Sequence, residues 1–485
     1  MDRRLVGIDL GIASAHTVRV LDGMGREVCR RRCEPTVASL TVIEQAALAG
    51  AVAGTRLEVV IEPTGPAWLP VAVFFIARGH LVFRVSSAKA ADLRRFLSRH
   101  AKSNGIDADT LARLPLVAAH QIRPLELPGS EQAALDRRVR VCDRLTMAAA
   151  EHKVRIKSLV RQLMPVSPLT GELGRADLAV LQRFADPRDL LAAGLETLTT
   201  LIETASHGHQ RYARAVEWFV AAQAAVDLYG GHPAIAFADL AAEVVTEVRL
   251  LRAIEAELAQ HAAAREDAYR WADPGQLVRS LPGLGQIGGP AITAVAGNAA
   301  RFPTGAHFKS YLGLAPKASE TGNTDRKGQP MSKAGSRLAR VTMVRAADHA
   351  RKQDPQMARV YYLQMVERGA DHLKALCVVA ARLSERSWTV MNRRMPYVVC
   401  DTDGTPVSPT EAKKIIADCW TVPADVRTRR RSRKTNAGKA PQQVPTGHDR
   451  SHAQGMDKRG DLPRPRSSNR HRTPVKPTTL TTDPR

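Results

Sequence analysis

Four acids occupy positions from which they could act together. Asp9 interrupts the apolar run "VGIDLG", Glu62 closes "VVIEPTG", and Asp107 and Asp109 fall within "HAKSNGIDADTLARL". Carboxylates gathered at one point repel each other and raise one another's pKa unless a cation lies between them. Mg2+, which takes all-oxygen ligands, removes that conflict. Two such ions about 4 Å apart can activate one oxygen and stabilise another during phosphoryl transfer. Singly, each acid has a plainer reading: Asp9 at a strand end, Glu62 capping the turn before Pro63, Asp107 or Asp109 complementing a helix N-terminus. Their order in a strongly basic chain is what favours a metal site.

To meet, these acids need a sheet. Residues 4–86 supply strand candidates in "VGIDLG", "HTVRVLD", "GREVCRRRCE", "LEVVIEP" and "HLVFRVS", with a helix-like segment between the third and fourth. "AKAADLRRFLSRH" and "GIDADTLARLPLVAA" then read as helices. Three strands able to form an antiparallel meander, followed by alternating helix and strand, give an α/β unit in the order of an RNase H-like fold. From about Glu131 to Glu266 strand signals vanish. Long Ala/Leu/Arg-rich helices replace them, their apolar positions recurring at three and four as in a helical hairpin or short coiled coil. An interdomain spacer and a dimerising arm are equally open readings of that stretch.

Residues 277–395 form a second, mainly helical unit. Its opening "LPGLGQIGGPAITA" resembles a helix–hairpin–helix, in which Gly283 and Gly285 permit a tight turn and backbone N–H groups at the next helix start can hold a phosphate. A long polar loop follows, "ASETGNTDRKGQPMSKAG", carrying Ser319, Thr321 and Ser332 beside Arg326, Lys327 and Lys333. A hydroxyl among basic groups can attack a phosphodiester; the same composition also suits a phosphate-binding loop without covalent chemistry.

Composition narrows the partners. The chain has 485 residues, 44% of them hydrophobic, with 71 Lys plus Arg against 48 Asp plus Glu, a formal charge of +23. That surplus favours a polyanion, and nucleic acid first, since neutralised phosphates release counterions. No apolar run reaches the roughly 18–20 residues of a membrane span, and "MDRRLVGIDL" leads directly into a strand without a signal-peptide core. A cytoplasmic protein is expected. The six cysteines make neither a disulfide framework nor a zinc site and are expected to be reduced, mostly buried thiols. Beyond about Pro423 the text turns Arg-, Pro-, Ser- and Thr-rich, an expected disordered tail holding roughly half the net charge.

Taken together, "GIDLG", "IEPTG", "KSNGIDADTLA", "LPGLGQIGGPAITA", "YLGLAP", "ETGNTDRKGQPMSKAG" and "ALCVVAARL" resemble the DEDD-type insertion-sequence transposases, the IS-one-ten family, which includes Piv-type DNA invertases and bridge-RNA-guided recombinases. The resemblance covers about residues 4–120 and 277–395. It implies a RuvC-like nuclease domain at 1–125, a helical linker or oligomerisation region at 126–270, a C-terminal transposase domain at 271–398 and a basic extension at 399–485. It also implies Mg2+ held by four positions, here Asp9, Glu62, Asn104 and Asp107. The family's usual third acid is replaced by Asn104. Its serine nucleophile is replaced by Thr321, whose β-methyl restricts χ1; Ser319 and Ser332 are possible substitutes. Asp109 lies about 200° round a helix from Asp107 and replaces Asn104 poorly. Implied partners are DNA (element ends and target), a noncoding bridge RNA and further copies of the chain, on the bacterial nucleoid. A RuvC-like junction nuclease using water, or a noncatalytic nucleic-acid-binding relic, are the alternatives.

Overall fold

The structure, a computed structural model, describes residues 3–97, 103–317, 320–321, 324–325 and 329–430. Its single five-stranded sheet is built from β1 (Arg4–Asp9), β2 (His16–Asp22), β3 (Glu27–Cys33), β4 (Leu57–Ile61) and β5 (Leu81–Arg84), in the order β3-β2-β1-β4-β5. The first three strands are an antiparallel meander, and β4 and β5 join β1 in parallel. Helices α1 (Val37–Leu48) and α2 (Trp68–Ala77) connect β3 to β4 and β4 to β5. The mixed sheet expected from the text is therefore present.

The centre of this sheet is buried on both faces, which is why β1 reads as a nearly continuous apolar run. Val6, Ile8, Val18, Val20, Val59 and Ile61 pack with Leu40, Ile43 and Phe75 of α1 and α2. On the opposite face, Leu5 and Leu21 pack against Ala112 of α4 (Asn104–Val117), which follows α3 (Ser87–Leu97).

The middle of the chain is an arm. Helices α5 (Ser130–Leu163) and α9 (Phe237–Ala272) lie antiparallel, tied by His152–Glu247 at 2.5 Å, Lys153–Glu255 at 2.8 Å and Arg138–His261 at 3.4 Å. At 34 residues α5 is roughly 50 Å long. Far from a bare hairpin, it carries a distal helical core made with α6 (Arg175–Arg183), α7 (Pro187–Ala205) and α8 (Tyr212–Tyr229) around Trp218. Asp177 is buried there but compensated, accepting from Arg214 at 2.6 Å and from the Trp218 indole at 3.2 Å. The base of the arm docks through Leu135, Val139 and Tyr269 on Ala291 and Ala294.

Those alanines belong to α10 (Gly288–Ala296), which opens the last part. It continues with α11 (Gly305–Tyr311), the short strands β6 (Glu320–Thr321) and β7 (Thr324–Asp325), α12 (Arg337–Ala350), α13 (Pro355–Tyr362), α14 (His372–Arg393), α15 (Pro409–Cys419) and α16 (Ala424–Arg429). Phe308, Met343, Val379 and Leu383 anchor its core. The helix before the glycine-rich turn is only one 3-10 turn, Val278–Ser280, since Asp273 accepts from the Leu277 and Val278 amides just ahead of it and Pro282 stops it. The expected loop is largely a hairpin: Ala315–Lys317 and Pro330–Ser332 pair as a stem continued by β6 and β7.

Two further expectations change. Helix α16 runs beyond position 423 because Val422 and Val426 join the core and the Arg430 carbonyl accepts from the His372 amide; residues 431–485 lie outside the described residues. All six cysteines are free as expected, but only Cys33 and Cys142 are buried, and Cys419 is exposed. Among the described residues no helix is long and apolar enough to cross a membrane.

Candidate active site

The acids meet because of register. β1 and β4 run in parallel with Ile8 opposite Ile61, so Asp9 and Glu62 follow side by side at the same strand ends. Partners across neighbouring strands project to the same face. For Asp9 this is the face of Gly7 and Leu5, the one covered by α4. Both acids are half-buried.

Gly7 decides how closely α4 approaches. A Cβ at that position would lie 2.0 Å from the Ala108 carbonyl oxygen and 2.4 Å from the Ala112 amide nitrogen. Hydrogen alone leaves room for the helix backbone to rest on the strand. Leu5 meets Ala112 and Gly7 meets Ala108, so α4 runs antiparallel to β1 and its first turn comes level with Asp9. That turn is capped by Ser103, whose Oγ accepts from the Ile106 amide at 3.3 Å. It carries Asn104, exposed, and Asp107, half-buried, three residues apart and hence on one helix face. Asp109 points elsewhere and is held by Arg113 at 2.7 Å.

Two arginines with no role in the motifs complete this end of the sheet. Arg94 of α3 donates from Nη1 to Asp107 Oδ1 at 2.7 Å. The hydrogen bond and charge of Asp107 raise the Arg94 pKa, and Glu62 adds to the effect through space. Arg19, opposite Gly7 on β2, reaches the α4 N-terminus, its Nη2 2.8 Å from where a Cβ on Gly105 would stand. Among the described residues, no group of three His, Cys, Asp or Glu side chains gathers closely enough to hold a metal ion. Asp9, Glu62 and Asp107 thus share a face and an end of the sheet without closing into a cluster, and Asp107 is engaged by Arg94.

The turn after Asp9 is fastened by His16. Its Nδ1 accepts from the Gly11 amide at 3.2 Å, and burial lowers its pKa. A cavity of about 330 Å³ opens beside this turn, between Ile12, Ser14, Glu34 and Pro66.

Thr321 is not part of this grouping; its backbone lies on β6, in a separate two-stranded sheet, paired with Thr324 across the hairpin tip. Ser332 is in the stem, its amide donating to the Ala315 carbonyl at 2.9 Å. At the foot of the stem Gly313 and Gly335 cross so tightly that a Cβ on Gly335 would lie 2.5 Å from the Gly313 amide nitrogen. Lys333 is exposed at the same place with φ +57°. Ser319, Arg326 and Lys327 lie outside the described residues. Gly283, at φ +80°, packs its Cα side onto α12, where a Cβ would lie 2.3 Å from the Ala346 carbonyl oxygen, whereas Gly285 is exposed in the open turn.

Comparison with known proteins finds its matches among insertion-sequence transposases. Residues 6–165 match the DEDD transposase model of IS110, described as "Transposase", and residues 275–362 match the model described as "Transposase IS116/IS110/IS902 family". The chain is 28% identical over 406 residues to the "Insertion element IS110 uncharacterized 43.6 kDa protein" of Streptomyces coelicolor, covering 81% of this chain and 96% of that one. It is 24% identical to the "Insertion element IS900 uncharacterized 42 kDa protein" of Mycobacterium paratuberculosis with the same coverage. A 131-residue stretch, 25% of this chain and 36% of the relative, is 31% identical to the "Probable family 20 transposase" of Pseudomonas aeruginosa. The chain belongs to the IS110 family of insertion-sequence transposases, enzymes that act on DNA.

Proposed function

We propose that the chain excises and inserts an insertion-sequence element by metal-dependent strand cleavage and rejoining, with a RuvC-like domain at 1–125 and a transposase domain at 271–398 joined by the helical arm. The observation that carries this reading is the convergence of Asp9, Glu62 and the Asn104–Asp107 turn on one end and one face of a sheet with the strand order β3-β2-β1-β4-β5. The donor set suits Mg2+: three carboxylates and one amide oxygen, all hard ligands. Asn104 keeps a ligating carbonyl but brings no charge. A cation already rests against one of the acids, Asp107, in the form of Arg94. When bound, Mg2+ would supply charge neutralisation and polarisation at a phosphoryl oxygen.

The protein's own part is to position the strand and supply the nucleophile. Thr321 Oγ1 gives up its proton and forms a bond to phosphorus as the bond to the leaving sugar oxygen breaks; that oxygen takes up a proton, and the reverse step rejoins a strand. The acids and Thr321 come from separate parts of the chain, so a productive site depends on how the arm sets them, and on copies of the chain that together hold two DNAs. The +23 charge supports phosphate contacts made without base reading. Target choice then falls to a noncoding RNA paired with donor and target DNA. Lys333, the exposed Gly285 turn and, by sequence, Arg326 and Lys327 are the proposed backbone contacts.

The test places the gene with its native flanking DNA in a cell and amplifies across the junction of the excised circle. Circles are expected from wild type and none from Asp9→Ala, whose DNA binding survives. Equal circle yield from Asp9→Ala would remove the metal assignment.

A further inference from the structure

Two neighbouring arginines on α3 behave differently. Arg95 turns back along its own helix to Asp92, whereas Arg94 crosses to α4 and donates to Asp107 at 2.7 Å. Both members of the crossing pair are partly shielded, with side chains 24% and 18% exposed. Glu62, arriving from the end of β4, also acts on this guanidinium. A monovalent cation is therefore paired with Asp107 at the end of the sheet where Glu62 also arrives, and offsets the repulsion of acids brought there from different elements. A guanidinium and a divalent ion cannot share one carboxylate at close range without strong mutual repulsion.

Resting on the reading of these acids as metal ligands, we infer that Arg94 is the resident counter-cation of the site. In the unloaded chain it neutralises Asp107 in place of the ion, at the strand end where Glu62 also arrives. Metal loading makes it release Asp107, and its freed planar fork then turns to a phosphate of the bound strand, for which its geometry is suited. Arg94 is on this account a positioning residue that couples metal loading to grip on nucleic acid.

The experiment measures Mn2+ binding to the full chain by isothermal titration, with Asp9→Ala as the control lacking a ligand. Arg94→Gln is expected to bind Mn2+ about tenfold more tightly than wild type, to melt lower than wild type in EDTA, and to regain most of that difference in Mn2+. Arg94→Lys is expected to restore near-wild-type affinity. Independently of any variant, Mn2+ is expected to speed amide hydrogen exchange in residues 87–97 of wild type as α3 loses its tie to α4. Mn2+ affinity unchanged or weakened in Arg94→Gln, with no change in exchange, would overturn the inference and leave Arg94 as a brace between two helices. Failure of both wild type and Arg94→Gln to bind Mn2+ would remove the metal reading itself and this inference with it.

Discussion

Asn104 and Thr321 share a chemical theme: each keeps a shape and gives up something electronic or steric. Asn104 offers a side-chain oxygen one helical turn from Asp107 and lacks its charge. Asn104→Asp is expected to lower the Mg2+ concentration needed for half-maximal cleavage severalfold, read from a metal titration of circle formation. Thr321 retains a hydroxyl on a hindered carbon, so Thr321→Ser is expected to cleave at least as fast as wild type, while Thr321→Ala forms no protein–DNA adduct on a denaturing gel. His16 offers a pH test. Burial lowers its pKa below the ordinary 6.5, so the unfolded chain takes up that proton first. Its contribution is complete above 6.5 and is lost as pH falls through the depressed folded value. The melting temperature should therefore drop between about pH 7 and about pH 5, and drop less in His16→Asn, which keeps an acceptor for the Gly11 amide. The acids were legible as candidates because each sits at an element boundary. Arg94 was not, because an arginine in "ADLRRFL" is indistinguishable by type from its neighbour Arg95, and only the fold shows which of them crosses to another helix.

The elements turn on close backbone contact. Gly7→Ala would set a methyl 2.0 Å from the Ala108 carbonyl and lift the Asp107 turn away from Asp9. It is expected to cost about 1–3 kcal/mol in denaturant unfolding, as other overpacked sites do, and to abolish Mn2+ binding. Gly283→Ala is a matched control: it meets the Ala346 carbonyl at 2.3 Å from a backbone at φ +80°, so it should destabilise the chain comparably while leaving Mn2+ affinity unchanged. Strand alternation revealed the sheet, and the three-four periodicity revealed α5 and α9. The distal core did not show, because α6, α7 and α8 repeat the same Ala- and Leu-rich text as the arm and are distinguished only by what packs around Trp218. The hairpin beneath Thr321 was likewise hidden in polar text, its stem held by backbone pairs such as Lys317 with Pro330 rather than by apolar alternation.

At the scale of the molecule, charge and the arm dominate. Residues 431–485 contain thirteen Lys or Arg and four Asp, so a chain ending at Arg430 falls from +23 to +14. Its affinity for random duplex should drop and its log K against log salt should become shallower, in proportion to the phosphates no longer neutralised. The arm imposes a condition of a different kind. Each residue inserted in an α-helix advances it by about 1.5 Å and turns it by about 100°. The base of α5 and α9 is fixed on α10 by Leu135, Val139 and Tyr269, while their far ends carry the distal core. Adding one residue to each helix would thus swing that core round to a new azimuth, whereas adding seven to each would return it to within about 20° of its original facing and roughly 10 Å further out. Reach and bearing are geared together, so the arm can lengthen without swinging its distal core only in steps of about seven residues per helix.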